Sequence, residues 1–357
     1  MENKIILFID SFKKGGAETV CATYLNILLR ENFDAVIWAY SWGDASVKKE
    51  LNDKVQSVIF DKKNGLRSFP SILKHMSRLE SGDIILAFNH QIALLLLMAR
   101  FLTRKKIKIV ARNVNYLSKN LNDSTTLKTK IVSFLVKYLY QKCDYFVAQC
   151  YKMKKDMIDN FQIKSEKIKV IYNPVSEKIV LACDKLKKTN NLPSKDIDFL
   201  FVGRLEKQKG IVSLAKIISE IQTKLAGVNI TVVGDGSLAY ELTNLNINHV
   251  SSTDNIVEFY QRAKVLILTS EYEGFPNVLV EGLYCGVPVI SFDCPSGPSE
   301  LIDNGINGYL IEPGNIDKFV NYAIHLLKCP KHGYLKENIL HSDEELTDFM
   351  RVVINEI

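Results

Sequence analysis

No stretch of the 357-residue chain stays apolar long enough to span a bilayer. The longest such run, Ile92 to Ala99, is well short of the roughly 20 residues a spanning helix requires, so a chain that does not cross a membrane is expected. The cysteines also lack a pattern: Cys21, Cys143, Cys150, Cys183, Cys285, Cys294 and Cys329 are odd in number, scattered and free of any C-x-x-C. Neither a disulfide framework nor a zinc site is suggested, and a reducing compartment is expected. The opening residues Met1 to Lys4 lead into Ile5–Ile9 and end on Asp10, which reads as a short strand and not as the core of a secretion signal. With 18 Gly and 9 Pro the chain is too poor in both for collagen or a low-complexity coil.

What is present is globular. Apolar residues make up 47% and charged residues 24% of a chain whose length suits two domains better than one. A net charge of +6 hides an asymmetry, because residues 1–190 carry 33 Lys and Arg against 18 Asp and Glu, while residues 191–357 carry 13 against 22. A basic half suits anionic lipid headgroups, lipid-linked phosphates or nucleic acid. The runs Arg104-Lys105-Lys106-Ile107-Lys108 and Lys152-Met153-Lys154-Lys155 concentrate that charge, although a solvated surface accommodates them as well. Nucleic acid is disfavoured, because no helix-turn-helix, zinc-finger or aromatic RNA-binding signature accompanies the charge.

Short apolar runs alternate with amphipathic stretches. Residues 5–10, 35–39, 55–60, 83–88, 107–111, 144–148 and 168–171 read as strands, and after a polar stretch at 184–196 the rhythm restarts with 198–202, 229–233, 265–269, 288–292 and 308–311. This βαβ alternation predicts an α/β protein of two doubly wound, Rossmann-like domains facing across a cleft. The expected divisions are a first domain at 1–180, a linker at 181–196, a second domain at 197–340 and a closing helix at 341–357 that packs back on the first. Ser342-Asp343-Glu344-Glu345 has the form of a capping box for that helix. Ligands of such sheets sit beyond the carboxyl ends of the strands, so function is sought in the strand-end loops.

Three of those loops have suggestive chemistry. The first strand runs into Gly15-Gly16-Ala17-Glu18 and then a helix pattern, where small residues let backbone N–H groups approach an anion; an ordinary tight turn fits too. The second domain opens with Val202-Gly203-Arg204-Leu205 followed by Lys209-Gly210, which places an Arg fork and a Lys point charge in one loop suited to a diphosphate. Val233-Gly234-Asp235-Gly236 repeats the strand-then-glycine pattern, weakly. The densest segment is Ser270 to Gly282: Glu273, Gly274, Phe275, Pro276, Asn277 and Val278 precede or open a helix that contains Glu281. Pro276 fits the first helical turn, Gly274 frees the backbone, and the two carboxylates could share one ligand or be solvated helix charges.

Taken together, Gly15-Gly16-Ala17-Glu18, Asn173-Pro174, Val202-Gly203-Arg204-Leu205 with Lys209-Gly210, Val233-Gly234-Asp235-Gly236 and Glu273-Gly274-Phe275-Pro276-Asn277 through Glu281 resemble the retaining glycosyltransferases of family four, of GT-B fold. Gly286 to Ser291 and Pro295 to Ile302 resemble members that build bacterial surface polysaccharides or lipid-linked oligosaccharides. The resemblance implies that Arg204 and Lys209 hold the donor diphosphate, that Glu281 binds the ribose hydroxyls and that Glu273 contacts the transferred sugar. Gly16 would lie close to the donor phosphate or acceptor, and Gly274, Phe275, Pro276, Asn277 and Val278 would line the donor. It further implies a UDP-linked hexose or N-acetylhexosamine donor, no metal or other cofactor, and a lipid-linked glycan acceptor; the basic first half adds the expectation of a cytoplasmic protein held peripherally on the inner face of the cytoplasmic membrane. On the acceptor side the candidates are His90, Arg112 and Asn113. Ser251-Ser252-Thr253 stands where the nucleotide base is expected, without the glycine often found there. A nucleotide-sugar epimerase, a sugar phosphorylase and a non-catalytic binding protein remain as alternatives, whereas the first turn lacks the three glycines of a dinucleotide-binding dehydrogenase.

Overall fold

The computed structural model describes residues 3–12, 15–43, 55–62, 64–118, 127–189, 193–253 and 255–355, without the side chains of 127–132, 187 and 189. The chain divides into two compact units, the first made of residues 1–174 and 338–357 and the second of residues 175–337.

Unit 1 is built on a parallel sheet of β1 (Ile5–Ser11), β2 (Ala35–Ser41), β3 (Ser57–Ile59), β4 (Ile84–Ala87), β5 (Lys108–Arg112), β6 (Tyr145–Ala148) and β7 (Ile168–Val170), in the order β3-β2-β1-β4-β5-β6-β7. The helices α1 (Gly16–Arg30), α2 (Gly65–Met76), α3 (His90–Thr103), α4 (Leu127–Leu139) and α5 (Tyr151–Phe161) connect the strands. β1 is apolar from Ile5 to Ile9, because a central parallel strand is covered on both faces. It pairs with β2 from Ile5↔Ala35 and with β4 from Ile5↔Ile84, so the winding direction reverses between β1 and β4.

Unit 2 repeats the plan. After α6 (Glu177–Thr189), its parallel sheet takes β8 (Ile197–Val202), β9 (Ile230–Val233), β10 (Asn248–Val250), β11 (Ala263–Leu268), β12 (Val289–Phe292) and β13 (Gly308–Ile311) in the order β10-β9-β8-β11-β12-β13. Here the reversal falls between β8 and β11, with α7 (Ile211–Lys224), α8 (Ile256–Arg262) and α9 (Asn277–Tyr284) on the connections and α10 (Ile316–Lys328) after the last strand.

Most strand positions read from the sequence lie within a residue or two of those observed, and two expectations are corrected. The segment expected as a linker at 181–196 begins inside α6, whose polar sequence hides a narrow apolar stripe: Ile179 and Cys183, four residues apart, are buried. The division accordingly falls at 174/175. β10 was not anticipated, because Asn248-His249-Val250 is a short edge strand with two exposed residues and no apolar alternation.

The last helix, α11 (Ser342–Asn355), belongs to unit 1. Leu346, Phe349, Met350 and Val353 enter the same core as Val20, Leu25 and Leu28 of α1. The flanks carry ion pairs, Arg30–Asp343 at 3.0 Å and Lys169–Glu345 at 2.5 Å. The expected capping box is not closed: the Ser342 hydroxyl has no hydrogen-bond partner among the described residues, and Glu345 reaches Lys169 instead. Burial of the apolar stripe therefore holds this helix in place, with little help from its cap. Leu346→Ala is expected to lower the unfolding free energy of unit 1 by roughly 2–5 kcal/mol. Urea unfolding followed by tryptophan fluorescence measures this selectively, because the chain's two tryptophans, Trp38 and Trp42, both lie in unit 1.

Candidate active site

In unit 2 the loops after β8 and β11 meet at the point where the winding reverses, the position at which open parallel sheets bind ligands. β8 ends at Val202, and the loop makes one turn of 3-10 helix at Lys207–Lys209 before Gly210 starts α7. Gly210 has φ +65°, and a Cβ on it would stand 2.0 Å from the Thr269 carbonyl oxygen, so only glycine lets the two loops approach this closely. The approach is stitched by three hydrogen bonds. Thr269 Oγ1 donates to the Lys209 carbonyl at 2.8 Å, the Glu271 amide to the Gln208 carbonyl at 2.9 Å, and Gln208 Nε2 to the Tyr272 carbonyl at 3.2 Å.

The stitching brings Lys209 to Glu273. Nζ and Oε1 are 2.6 Å apart, and Ser270 Oγ donates to the same oxygen at 2.5 Å. Glu273 is buried, with only 5% of its surface exposed, so a charge that water would otherwise solvate is compensated by the ammonium and the hydroxyl. Arg204 is exposed in the same loop and donates from Nη2 to Gln208 Oε1 at 3.1 Å.

The Glu273 segment is held from behind by the loop that follows β12. Ser296 Oγ lies within hydrogen-bond reach of the carbonyls of Glu273 and Gly274, and the Glu273 amide donates to the Pro295 carbonyl. Ser296 (φ +66°) and Gly297 (φ +79°) are both left-handed, and a Cβ on Gly297 would stand 2.3 Å from Pro276 Cδ. Pro276 is the residue before α9, with φ −79° and ψ 87°, and not a member of the first helical turn as the sequence suggested. Its carbonyl accepts from the Leu279 amide at 2.9 Å, and Asn277 and Val278 form the positive end of the helix dipole. Phe275 is buried.

Glu281 sits about one turn into α9. The Tyr260 hydroxyl on α8 donates to its Oε2 at 2.8 Å. Tyr260 is fully buried, and burial together with the neighbouring carboxylate pushes the phenol well above its ordinary value, so it remains a donor at any physiological pH. The Val233-Gly234-Asp235-Gly236 turn serves packing: Cβ atoms on Gly234 and Gly236 would strike the carbonyl oxygens of Gly203 and Leu205, at 1.8 and 2.5 Å. Ser251 to Thr253 follow β10 at the edge of the sheet, where Thr253 Oγ1 accepts from the Asn255 amide.

In unit 1, Gly16 starts α1 directly beyond β1, and His90 starts α3 directly beyond β4. Asn89 caps α3 through its Oδ1 to the Ile92 amide at 2.7 Å and donates from Nδ2 to Asp10 Oδ2 at 2.7 Å. His90 is buried, which pushes its imidazole down to about 4 and keeps it neutral near pH 7. Arg112 and Asn113 are turned inward, which corrects the expectation that they face an acceptor. Arg112 is 1% exposed, lies over the rings of Tyr24 and Phe88 at 5.3 and 5.0 Å, and donates to Asn173 Oδ1 at 2.6 Å. Asn113 accepts from the Tyr140 hydroxyl at 2.6 Å, while Gln149 bonds its backbone carbonyl and accepts from Asn173.

The structure thus gathers Lys209, Glu273 and the 274–278 turn around one strand-end site in unit 2, with Arg204 on its rim and Glu281 inside α9. Sequence reasoning missed Ser270, Gln208, Ser296 and Tyr260. Ser270 and Ser296 lie inside segments already singled out, whereas Tyr260 is on a separate helix with no local signal. Among the described residues no three His, Cys, Asp or Glu side chains gather as a metal site, and no helix is long and apolar enough to cross a membrane.

Comparison with known proteins matches residues 14–178 to the model of Glycosyltransferase Family 4 and residues 183–339 to that of Glycosyl transferases group 1. The chain is 28% identical over 199 residues to an uncharacterized glycosyltransferase of Methanocaldococcus jannaschii, a match over 51% of this chain and about half (47%) of that one. It is 26% identical over 342 residues to the N-acetylgalactosamine-N,N'-diacetylbacillosaminyl-diphospho-undecaprenol 4-alpha-N-acetylgalactosaminyltransferase of Campylobacter jejuni, covering 87% of each. Its fold resembles that of Anabaena HepE, solved in complex with UDP-glucose, with a TM-score of 0.70 at 19% identity over 99% of this chain and 97% of that one.

Two outcomes follow from the geometry. Gly297→Ala, which forces a side chain into a left-handed position against Pro276, is expected to cost roughly 1–3 kcal/mol and to lower the midpoint of thermal unfolding followed by circular dichroism. For His90, a folded-state value of about 4 against 6.5 for the ordinary group means that the unfolded chain binds the proton more readily between those values. Its contribution is therefore complete above about pH 6.5 and is lost as pH falls toward 4, by roughly 3 kcal/mol at most. Urea titrations across that range should show a shallower acid decline in His90→Gln than in the wild type.

Proposed function

Because the chain belongs to the family 4 glycosyltransferases, of GT-B fold, we propose that it moves a hexose or N-acetylhexosamine from a UDP-linked donor to a glycan on a lipid carrier, with retention of anomeric configuration. The observation that carries this reading is the Lys209–Glu273 pair beside Arg204 and the 274–278 turn, at the strand-end reversal of unit 2. In this reading Arg204 and Lys209 take the two phosphates, replacing the charge compensation a metal gives elsewhere. Glu281, held on one oxygen by Tyr260, offers its carboxylate to the ribose hydroxyls, and the turn from Gly274 to Val278 presents backbone N–H groups to the sugar and phosphate.

The chemistry is a displacement at the anomeric carbon. The bond from that carbon to the diphosphate oxygen breaks as the bond to the acceptor oxygen forms on the same face, and the acceptor's proton passes to the departing phosphate oxygen. Positive charge grows on the sugar and negative charge on the leaving group; Glu273 stands for the first and Arg204 with Lys209 for the second. Gly16 at the start of α1 and His90 at the start of α3 are the unit 1 groups assigned to donor phosphate or acceptor. The lipid-linked acceptor follows the name of the Campylobacter relative, and the UDP donor that of the ligand in Anabaena HepE. A lipid-linked acceptor and the basic first half support the further reading that the protein works peripherally on the inner face of the cytoplasmic membrane.

Isothermal titration against UDP, GDP and ADP in the presence of EDTA tests the reading. UDP is expected to bind without metal, Glu281→Ala and Arg204→Ala to weaken it tenfold or more, and Glu273→Gln to leave its affinity within about threefold while lowering transfer to a lipid-linked glycan by about a hundredfold or more. Turnover with free phosphate or without acceptor would instead indicate a phosphorylase or an epimerase. Failure of all three nucleotides to bind would end the proposal.

A further inference from the structure

On the flank of unit 1, the last two turns of α3 and the second half of α4 leave large apolar side chains in solvent. Phe101 is 82% exposed, and Met98, Leu102, Phe134, Tyr138 and Leu139 are also exposed. Phe134 and Tyr138 pack in a tilted pair with ring centroids 4.6 Å apart, and Leu97, Met98, Phe101, Leu102 and Leu139 line a groove of about 500 Å³ together with Arg100 and Lys142. Solvated proteins seldom leave apolar side chains clustered in this way without an occupant.

The charge around the groove indicates which occupant it fits. Residues 97–106 and 133–142 contain Arg100, Arg104, Lys105, Lys106, Lys137 and Lys142 and no Asp or Glu. Arg104, Lys106, Lys137 and Lys142 are exposed. The nearby carboxylate of Asp144 is taken up by Arg100 at 2.5 Å and by the Ile109 amide at 2.7 Å. Arg100 also donates to the carbonyls of Ile107 and Lys142, which fixes the end of α3 against the segment before β6. Arg104 ends α3 in a left-handed conformation, φ +53°. The result is an apolar groove on a surface rich in cations.

We propose that this surface docks on an anionic bilayer, with Phe101 and Leu102 entering the acyl boundary and Arg104, Lys106, Lys137 and Lys142 facing lipid phosphates. The proposal rests on the lipid-linked acceptor of the preceding section and specifies the surface that would meet the membrane. The side chains of 127–132 lie outside the described residues. α3 leaves the carboxyl end of β4 and returns to the amino end of β5, so Phe101 to Lys106 stand at the opposite end of the sheet from Gly16, Asn89 and His90. Docking there leaves the strand-end loops uncovered.

Flotation of the full chain with vesicles tests this. Wild type is expected to float with phosphatidylglycerol-rich vesicles and not with pure phosphatidylcholine. Phe101→Ser with Leu102→Ser should lower the partition at least tenfold, and Arg104→Gln and Lys106→Gln about fivefold each. Leu66→Ser, at an equally exposed leucine on α2 (74%), should change nothing. Absence of flotation, or flotation that survives the Phe101/Leu102 change, overturns the proposal. So does a doubled mass in light scattering that the same change abolishes, since the surface would then join two copies of the chain. UDP titration without vesicles separates the two readings: nucleotide binding without flotation removes only the docking surface, and flotation without nucleotide binding removes only the enzymatic reading.

Discussion

The ion pair between Lys209 and the buried Glu273 constrains how the loops of unit 2 meet. A carboxylate with 5% of its surface exposed persists as a charge only if fixed partners replace its lost water, and those partners must come from loops that ordinary sequences leave loose. The β8 and β11 loops therefore lie in direct contact, through a glycine that admits a carbonyl oxygen where a side chain would stand and through the three hydrogen bonds across Thr269, Glu271 and Gln208. The loop after β12 then backs the pair, with two consecutive left-handed residues bringing Ser296 beneath the Glu273 and Gly274 carbonyls. Fixed charges that need no rearrangement are what a site requires to stabilise charge appearing during a reaction.

Unit 1 solves a related problem differently. Arg112 is as deeply buried as any core leucine, yet faces no carboxylate among its described partners. Two aromatic faces and the Asn173 carbonyl oxygen take that role. Asn113, Tyr140 and Gln149 continue the network, which ends one residue before Pro174, where unit 1's first segment stops. The polar residues at the end of β5 thus secure the point at which the chain leaves the unit.

Much of this was legible in the sequence, because strand and turn signals are local. The twelve apolar runs located all but one strand, and the glycine, lysine and glutamate positions of the β8 and β11 loops were visible as a cluster of unusual residue types. What escaped depends on distance along the chain. Tyr260 meets Glu281 from another helix, α6 hides a two-residue apolar stripe in a polar segment, and Arg112 has the composition of a ligand contact but the environment of a core residue. Pattern gives the period of an element; which way a polar side chain turns is decided by neighbours far off in sequence.

The position of α11 has a consequence for synthesis. Unit 1 is interrupted by the whole of unit 2, so its core lacks Leu346, Phe349, Met350 and Val353 until the ribosome has passed residue 353. At about 5–20 residues per second, unit 2 is complete roughly one to three seconds before the unit that was begun first. During that interval the nascent first half presents an open apolar seam along α1. A chaperone at the ribosome would meet this protein as a finished second unit trailing an unfinished first.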